Sequence, residues 1–60
     1  MKVNVFKTQC TSGTHVVDHK GRKGIVQKIS QDRVQALVLF EREEKEWCQY
    51  YMLDFDKPKP

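Results

Sequence analysis

The fold is decided by the stretch RVQALVLFE at residues 33–41, which contains the longest unbroken apolar run of the chain, residues 36–40. Side chains of a β-strand point alternately to opposite faces, so this stretch presents two different rows. Both rows contain large apolar residues, and we therefore expect the strand to be covered on both faces. One row consists of Val34, Ala36, Val38 and Phe40, and the other of Gln35, Leu37 and Leu39.

Shorter segments on either side of this stretch are typical of further strands. The segment at residues 2–6 alternates apolar and polar residues, and its apolar side chains are the expected cover for the second face of the central strand. Gly21 and Gly24, which are separated by cations, predict a tight exposed turn that needs positive φ. The remaining short strands are predicted at residues 14–18, 24–29 and 54–55.

Residues 43–53 fit two local structures. As a strand over residues 46–52 the segment pairs with the central strand, and as a helix it stacks its aromatic side chains at three- and four-residue spacing. The β context on both sides favours the strand. We expect one short helical turn near residues 50–53 before the last strand.

Glycines at the bends allow short strands to curl and close on themselves, which leaves few unpaired edges. The pattern is G-x-x-V at residues 13–16, then G-x-x-G-x-V-x-x-I at residues 21–29, then an apolar strand ending at Phe40. It resembles the KOW and Tudor-like group of small SH3-like barrels, and the resemblance implies an all-β, five-stranded SH3-like barrel. The sequence departs from that group at Asp18, where KOW units usually have an apolar residue. The expected interior consists of Val16, Val26, Ile29, Val34, Val38, Phe40 and Leu53.

The length of 60 residues suits one domain, which we place at residues 1–56, before a disordered tail at residues 57–60. No apolar run approaches the ~20 residues of a membrane-spanning helix, and none near the start is long enough for a secretory signal. Two cysteines are too few for a disulfide framework. These features predict a cytoplasmic protein with reduced thiols and no membrane contact.

Charge is distributed unevenly along the chain. Residues 1–30 contain six Lys or Arg and one Asp, whereas residues 31–60 contain five Lys or Arg and seven Asp or Glu. A basic Gly-containing turn can contact phosphates through side chains and exposed backbone N–H groups. The leading hypothesis is therefore a non-catalytic accessory domain that binds RNA or DNA. Its candidate nucleic-acid-binding residues are Lys20, Arg22, Lys23, Lys28 and Arg33.

The alternative hypothesis is a protein-interaction module, or a small subunit or regulator of a larger complex. An acidic hairpin beside an aromatic strand provides its contact surface. At least two of the three aromatic residues are expected to complete the small core, because few other large side chains are available. The candidate partner-binding residues are Trp47, Tyr50, Tyr51, Glu43 and Glu44. Contact between the basic turn of one copy and the acidic hairpin of another makes a monomer or weak homodimer the expected state.

The sequence contains no pattern that supports catalysis. It lacks a Gly-Lys-Ser/Thr phosphate loop and a convincing nucleophile with a base, so we predict that the protein is not an enzyme. Zinc has four conceivable ligands, but the usual ligand spacings are absent, and we predict no metal and no other cofactor. These four residues are Cys10, His15, His19 and Cys48.

Overall fold

The computed structural model describes residues 1–56, and the predicted tail at residues 57–60 lies outside this part. Within residues 1–56 the chain forms one α-helix, five β-strands and one 3-10 turn. The elements are α1 (Val3–Gln9), β1 (His15–Asp18), β2 (Lys23–Ile29), β3 (Gln35–Phe40), β4 (Lys45–Gln49), the 3-10 turn (Tyr50–Met52) and β5 (Leu53–Phe55).

The five strands form one antiparallel sheet in the order β4-β3-β2-β1-β5. The mainly β prediction with five strands is thus confirmed. The predicted closure is not found, because β4 and β5 lie at the two edges and no pairing joins them within the described residues. The molecule is a curled, open sheet with a short helix at its start.

The core lies on one face of the sheet, which we call the inner face. Five of the seven predicted interior residues are buried there, while Val34 and Ile29 are only half-buried. Four further residues outside the predicted interior set complete the cluster. The buried set is Phe6, Cys10, Val16, Val26, Ala36, Val38, Phe40, Cys48 and Leu53.

The segment at residues 2–6, predicted as a strand, instead begins the helix α1. The alternation of apolar and polar residues spans too few positions to distinguish a strand from a helix. Val3 and Val5, which define it, are only half-buried in the structure. The side chains that are buried are Phe6 and Cys10, four positions apart, which is the spacing of one helical face. The Cys10 N–H donates to the Phe6 carbonyl at 3.1 Å and closes the last turn. Burial of Phe6 at 0% exposure therefore outweighs the β preference of the two valines.

The predicted cover over the second face of β3 is consequently absent. Helix α1 contributes its Phe6 to the core on the inner face. Leu37 and Leu39, which point to the opposite or outer face of the sheet, stay half-buried. The expectation that β3 is covered on both faces was wrong, and the sheet has an outer face that carries apolar residues.

The two glycines of the predicted basic turn have different roles. Gly21 has φ +82° and lies in the exposed turn between β1 and β2, as predicted. Gly24 is buried inside β2, opposite Val16 on one side and Phe40 on the other. A Cβ on Gly24 would lie 2.5 Å from Val38 Cγ1 and 2.9 Å from the Leu39 carbonyl oxygen. Glycine is thus required at position 24 for close packing across the sheet.

The ambiguous segment after the β3–β4 hairpin is a strand, which ends at Gln49. The 3-10 turn Tyr50–Met52 follows directly and confirms the predicted helical turn before the last strand. The alternative of a continuous helix over residues 43–53 is wrong, because β4 pairs along its whole length with β3. Pairing of the strand with an apolar neighbour decides the structure of a segment whose own propensity is ambiguous.

Candidate binding surfaces

Asp18 organises the turn between β1 and β2. Its side chain is only 3% exposed, and Oδ1 accepts hydrogen bonds from the backbone N–H groups of Lys20 (2.9 Å) and Arg22 (2.7 Å). Oδ2 accepts a third bond from Arg22 Nε at 2.7 Å. Burial raises the pKa of the carboxyl group, but these hydrogen bonds and the nearby guanidinium outweigh it, so the net pKa is lowered. The departure from the KOW pattern at this position is therefore a carboxylate that closes the turn.

Arg22 connects this turn to β4, the strand at one edge of the sheet. Its NH2 group donates to Glu46 Oε2 in β4 at 2.8 Å, while its Nε is held by Asp18. The guanidinium lies over the Phe40 ring, 4.4 Å from the ring centroid. Arg22 thus links the β1–β2 turn to a strand that is not its neighbour in the sheet, across the open side of the core.

These contacts of Arg22 reduce the positive charge that the predicted basic turn could direct at a phosphate. Arg22 makes hydrogen bonds to two carboxylates, so its charge is already compensated. The other four candidate cations, Lys20, Lys23, Lys28 and Arg33, are exposed. They do not form one cluster, because Lys20 lies in the turn at one end of β2 and Arg33, with φ 59°, lies in the turn at the other end.

A cleft of about 640 Å³ lies between the β1–β2 turn and the β3–β4 hairpin. Its lining combines three cationic side chains with two carboxylates around the edge of the Phe40 ring. This mixture leaves no single charge for a ligand to match, and we do not place the binding site there. The lining residues are Gly21, Arg22, Lys23, Phe40, Glu41, Arg42 and Glu44.

The outer face of the sheet has an apolar centre. Ile25 in β2 lies opposite Leu39 in β3. Two positions earlier in β3, Leu37 lies opposite Trp47 in β4. Trp47 is 53% exposed and Ile25 is 37% exposed. We call these four residues the apolar strip; it crosses β2, β3 and β4. Neighbouring apolar side chains left in contact with water on one sheet face are a feature of interaction surfaces.

Three exposed lysines surround the apolar strip, and we call them the lysine rim. Lys45 lies opposite Leu39, and Lys28 lies opposite Leu37 after a register shift in β2. Lys23 lies opposite Val17, at the end of the same face. Within residues 1–56 no carboxylate forms an ion pair with any of the three. The outer face is therefore apolar at its centre, with three lysines beside the apolar strip and the exposed Asp54 beyond Val17.

The aromatic candidates separate into two groups. Trp47 belongs to the apolar strip, whereas Tyr50 and Tyr51 lie in the 3-10 turn. Tyr50 is half-buried, with its ring 6.2 Å from Phe6, and Tyr51 is 65% exposed with its ring edge-on to Tyr50 at 5.4 Å. The expectation that at least two of the three complete the core was wrong, because Phe6 and the two cysteines fill that space.

The acidic candidates Glu43 and Glu44 lie in the exposed β3–β4 hairpin. Glu43 and its neighbour Arg42 both have positive φ, 59° and 68°, so neither has the conformation that its side chain prefers. The Phe40 N–H donates to the Glu44 carbonyl at 2.8 Å and closes the hairpin. The structure does not bring this acidic pair together with Trp47, because Trp47 lies further along β4 on the outer face.

The four conceivable zinc ligands are far from a common site. Cys10 and Cys48 are buried in the core as free thiols, while His15 and His19 are exposed. Burial raises the pKa of both thiols. No group of three or more potential metal ligands occurs within residues 1–56. In the same part of the chain, no helix combines the length and the apolar character needed to cross a membrane.

The fold and these surfaces define a small, mainly β domain with an open sheet. No protein-family model, curated protein or solved structure matches the chain.

Sequence reasoning missed two parts of the site. Leu37 and Leu39 were expected to be covered by residues 2–6, and the strand register that places them beside Trp47 on one face does not follow from the alternation of a single strand. Lys45 was not among the candidate residues. The role of Asp18 was signalled by the Asp-x-x-Gly spacing to Gly21, which is typical of a side-chain-stabilised turn.

Proposed function

We propose that the chain is a non-catalytic binding module whose outer sheet face binds an acidic protein partner. The observation that carries this proposal is the apolar strip, with Trp47 at 53% exposure, beside three lysines that have no ion-pair partner within residues 1–56. Trp47 lies at the end of this strip on the edge strand β4, and tryptophan is among the residue types that most often dominate a protein interface.

The apolar strip supports a protein rather than a nucleic acid as the principal partner. Three of its four members, Ile25, Leu37 and Leu39, are aliphatic, and only Trp47 offers a ring on which a base could stack. Aliphatic side chains gain most from contact with other apolar side chains, at about 25 cal/mol per Å² removed from water. The strip therefore matches the apolar centre of a protein interface surrounded by a polar rim.

The lysine rim supports acidic character in the partner. Carboxylates opposite Lys23, Lys28 and Lys45 would meet charges that have no ion-pair partner within residues 1–56. Such complementarity raises the association rate and suppresses wrong partners more than it raises affinity. Binding is accordingly expected to weaken, but not to disappear, as salt increases, because the apolar strip contributes independently of charge.

Single-stranded nucleic acid is the second candidate ligand. Lys23 and Lys28 line the same face as Trp47, and Lys20 and Arg33 extend the positive charge beyond its ends. Phosphates would contact the lysines while one base stacks on the tryptophan. Arg22 would contribute little, because Asp18 and Glu46 already occupy it.

We also infer a relationship to the SH3-like barrels at the level of the fold. The strand order, with β5 beside β1, and the single 3-10 turn before β5 support it. The open edge between β4 and β5 makes this chain a less closed variant of that arrangement. Fold alone assigns no partner, so the proposal rests on the outer face.

The test is affinity capture from cell extract with two charge-reversal variants of equal net charge. The first replaces the lysine rim (Lys23→Glu, Lys28→Glu, Lys45→Glu), and the matched control replaces three exposed cationic residues elsewhere (Lys2→Glu, Lys7→Glu, Arg42→Glu). Each capture is run with and without nuclease. Both variants are first checked for a wild-type melting temperature.

The proposal expects a partner that resists nuclease, is lost with the lysine-rim variant and is retained with the control. If nuclease treatment removed all captured material, the proposal of a protein partner would be wrong and single-stranded nucleic acid would be the ligand. Equal loss with both variants would show that net charge, and not this face, is responsible.

A further inference from the structure

Within residues 1–56, strand β4 has a row of backbone hydrogen-bonding groups without a partner in the sheet. In an antiparallel pair, alternate residues direct their N–H and C=O groups towards the neighbouring strand. The Phe40 N–H donates to the Glu44 carbonyl and the Tyr50 N–H donates to the Val34 carbonyl, which fixes even-numbered residues as those bonded to β3. Lys45, Trp47 and Gln49 therefore direct their N–H and C=O groups away from β3, towards the open edge.

From this geometry we infer that β4 pairs with β4 of a second copy of this chain. The pairing is antiparallel about a two-fold axis at Trp47 and joins two five-stranded sheets into one. It goes beyond the proposed function, because it uses the edge of the sheet and not its outer face. An exposed strand edge is a template for the addition of another strand.

The sequence of β4 suits pairing with itself. With Trp47 opposite Trp47 of the second copy, Lys45 lies opposite Gln49, and Glu46 lies opposite Cys48. No like charges face each other, although the strand carries both a lysine and a glutamate. Glu46 is in addition held by Arg22 of its own chain at 2.8 Å. The two Glu46 side chains are diagonal neighbours across the two-fold axis, and the ion pair of each with Arg22 of its own chain limits their mutual repulsion.

The side chains at the centre favour the same register. Trp47 and Leu37 lie on the outer face, so the two-fold pairing puts two tryptophans side by side, with a leucine behind each. Cross-strand aromatic pairs stabilise antiparallel sheets. The pairing also joins the two apolar strips into one continuous surface. The other edge, β5, is only three residues long and offers fewer groups for the addition of a strand.

The association is expected to be weak. Pairing of five-residue strands buries far less than the ~1,200 Å² of a stable interface. Dimers are expected to form in roughly the 0.1–1 mM concentration range. Because backbone bonds and ring contact carry the pairing, it persists at high salt. A contact between basic turn and acidic hairpin would instead fade as salt screens the charges.

The test uses proline at position 49. Gln49 has φ −70°, close to the −65° that proline requires, and its N–H points towards the open edge. Gln49→Pro therefore removes one edge donor while keeping the native backbone, and Gln49→Ala is the matched control that keeps the donor. Sedimentation equilibrium of all three proteins is measured from about 20 μM to about 2 mM, at about 0.05 and 0.5 M salt.

The inference expects dimers of wild type and Gln49→Ala at both salt concentrations, with at least about tenfold weaker association of Gln49→Pro. A wild-type protein that stays monomeric over the whole concentration range overturns the inference. So does a dimer that dissociates at the higher salt concentration, or one that forms equally well with Gln49→Pro. Amide exchange of the wild type gives an independent readout that needs no variant. The N–H groups of Lys45, Trp47 and Gln49 should become protected as concentration rises, and unchanged exchange in a dimer would overturn the inference.

Discussion

Replacement of Gly24 by alanine tests whether the sheet is packed as closely as its geometry requires. The added Cβ would lie 2.5 Å from Val38 Cγ1, 2.9 Å from the Leu39 carbonyl oxygen and 3.0 Å from Phe40 Cδ1. Apolar carbon atoms normally approach no closer than about 3.5 Å. Val38 is completely buried and cannot swing away, and the Leu39 carbonyl belongs to the ladder between β2 and β3. Both strands must therefore separate locally.

The cost of this separation follows from known effects of overpacking. Inserting a methyl group into a tightly packed interior costs about 1–3 kcal/mol, and backbone displacement puts Gly24→Ala at the upper end. Alanine recovers about 0.4–1 kcal/mol by restricting the unfolded chain. The net loss is about 2 kcal/mol. For a domain of this size, this corresponds to a fall of roughly 8–16 °C in the melting temperature.

Thermal unfolding followed by circular dichroism measures the effect, with Gly13→Ala as the control. Gly13 has φ +94° but nothing within 4 Å of the position that a Cβ would occupy. Its replacement incurs only backbone strain, about 1 kcal/mol. Close packing of β2 against β3 predicts that Gly24→Ala destabilises the protein more than Gly13→Ala does. A melting temperature for Gly24→Ala near the wild-type value, or above that of Gly13→Ala, would refute the close packing of β2 against β3.

Three further changes probe other parts of the structure, each by thermal unfolding. Phe6→Ala should remove about 3–5 kcal/mol, because a fully buried ring is lost from the core; a drop below 1 kcal/mol would contradict the docking of α1. Asp18→Asn should flatten the acid dependence of stability. Because folding lowers the pKa of Asp18, its carboxylate contributes fully to the free energy of unfolding above the unfolded-state pKa near 3.8. This contribution is lost as the pH falls through the lower pKa of the folded state. If stability depended on pH in the same way in Asp18→Asn and wild type, the turn network would be contradicted. Glu43→Gly should stabilise the protein by about 0.5–1 kcal/mol and raise its melting temperature by a few degrees, because glycine adopts the φ of 59° at this position without strain. A melting temperature below that of the wild type would contradict backbone strain at Glu43.

The sequence predicted the sheet because its signals there are long and consistent. Residues 33–41 alternate over nine positions, and β3 follows that alternation with Ala36, Val38 and Phe40 buried. At residues 2–6 the alternation covers too few positions, and burial of Phe6 decided the structure through contacts that no local pattern reveals. Closure into a barrel likewise depends on whether β4 and β5 approach each other, which is a property of the whole sheet.

The candidate site was predicted only in part, for a related reason. Exposure of Trp47 depends on which element covers the outer face, and the helical start of the chain leaves that face open. The ion pair between Arg22 and Glu46 depends on the curl of the sheet, which brings Glu46 near the β1–β2 turn although the two residues are 24 positions apart. Patterns within one strand show which residues share a face, but they do not show what lies against it.

The most direct test of the proposed binding face uses Trp47, the only tryptophan of the sequence, labelled as 5-fluorotryptophan. A partner recovered by affinity capture is added to the labelled protein at about 20 μM, below the range expected for self-association. The account predicts that the fluorine resonance shifts in step with complex formation measured by sedimentation. A complex that forms fully while the Trp47 resonance stays in place would contradict it, because the partner would then contact another surface.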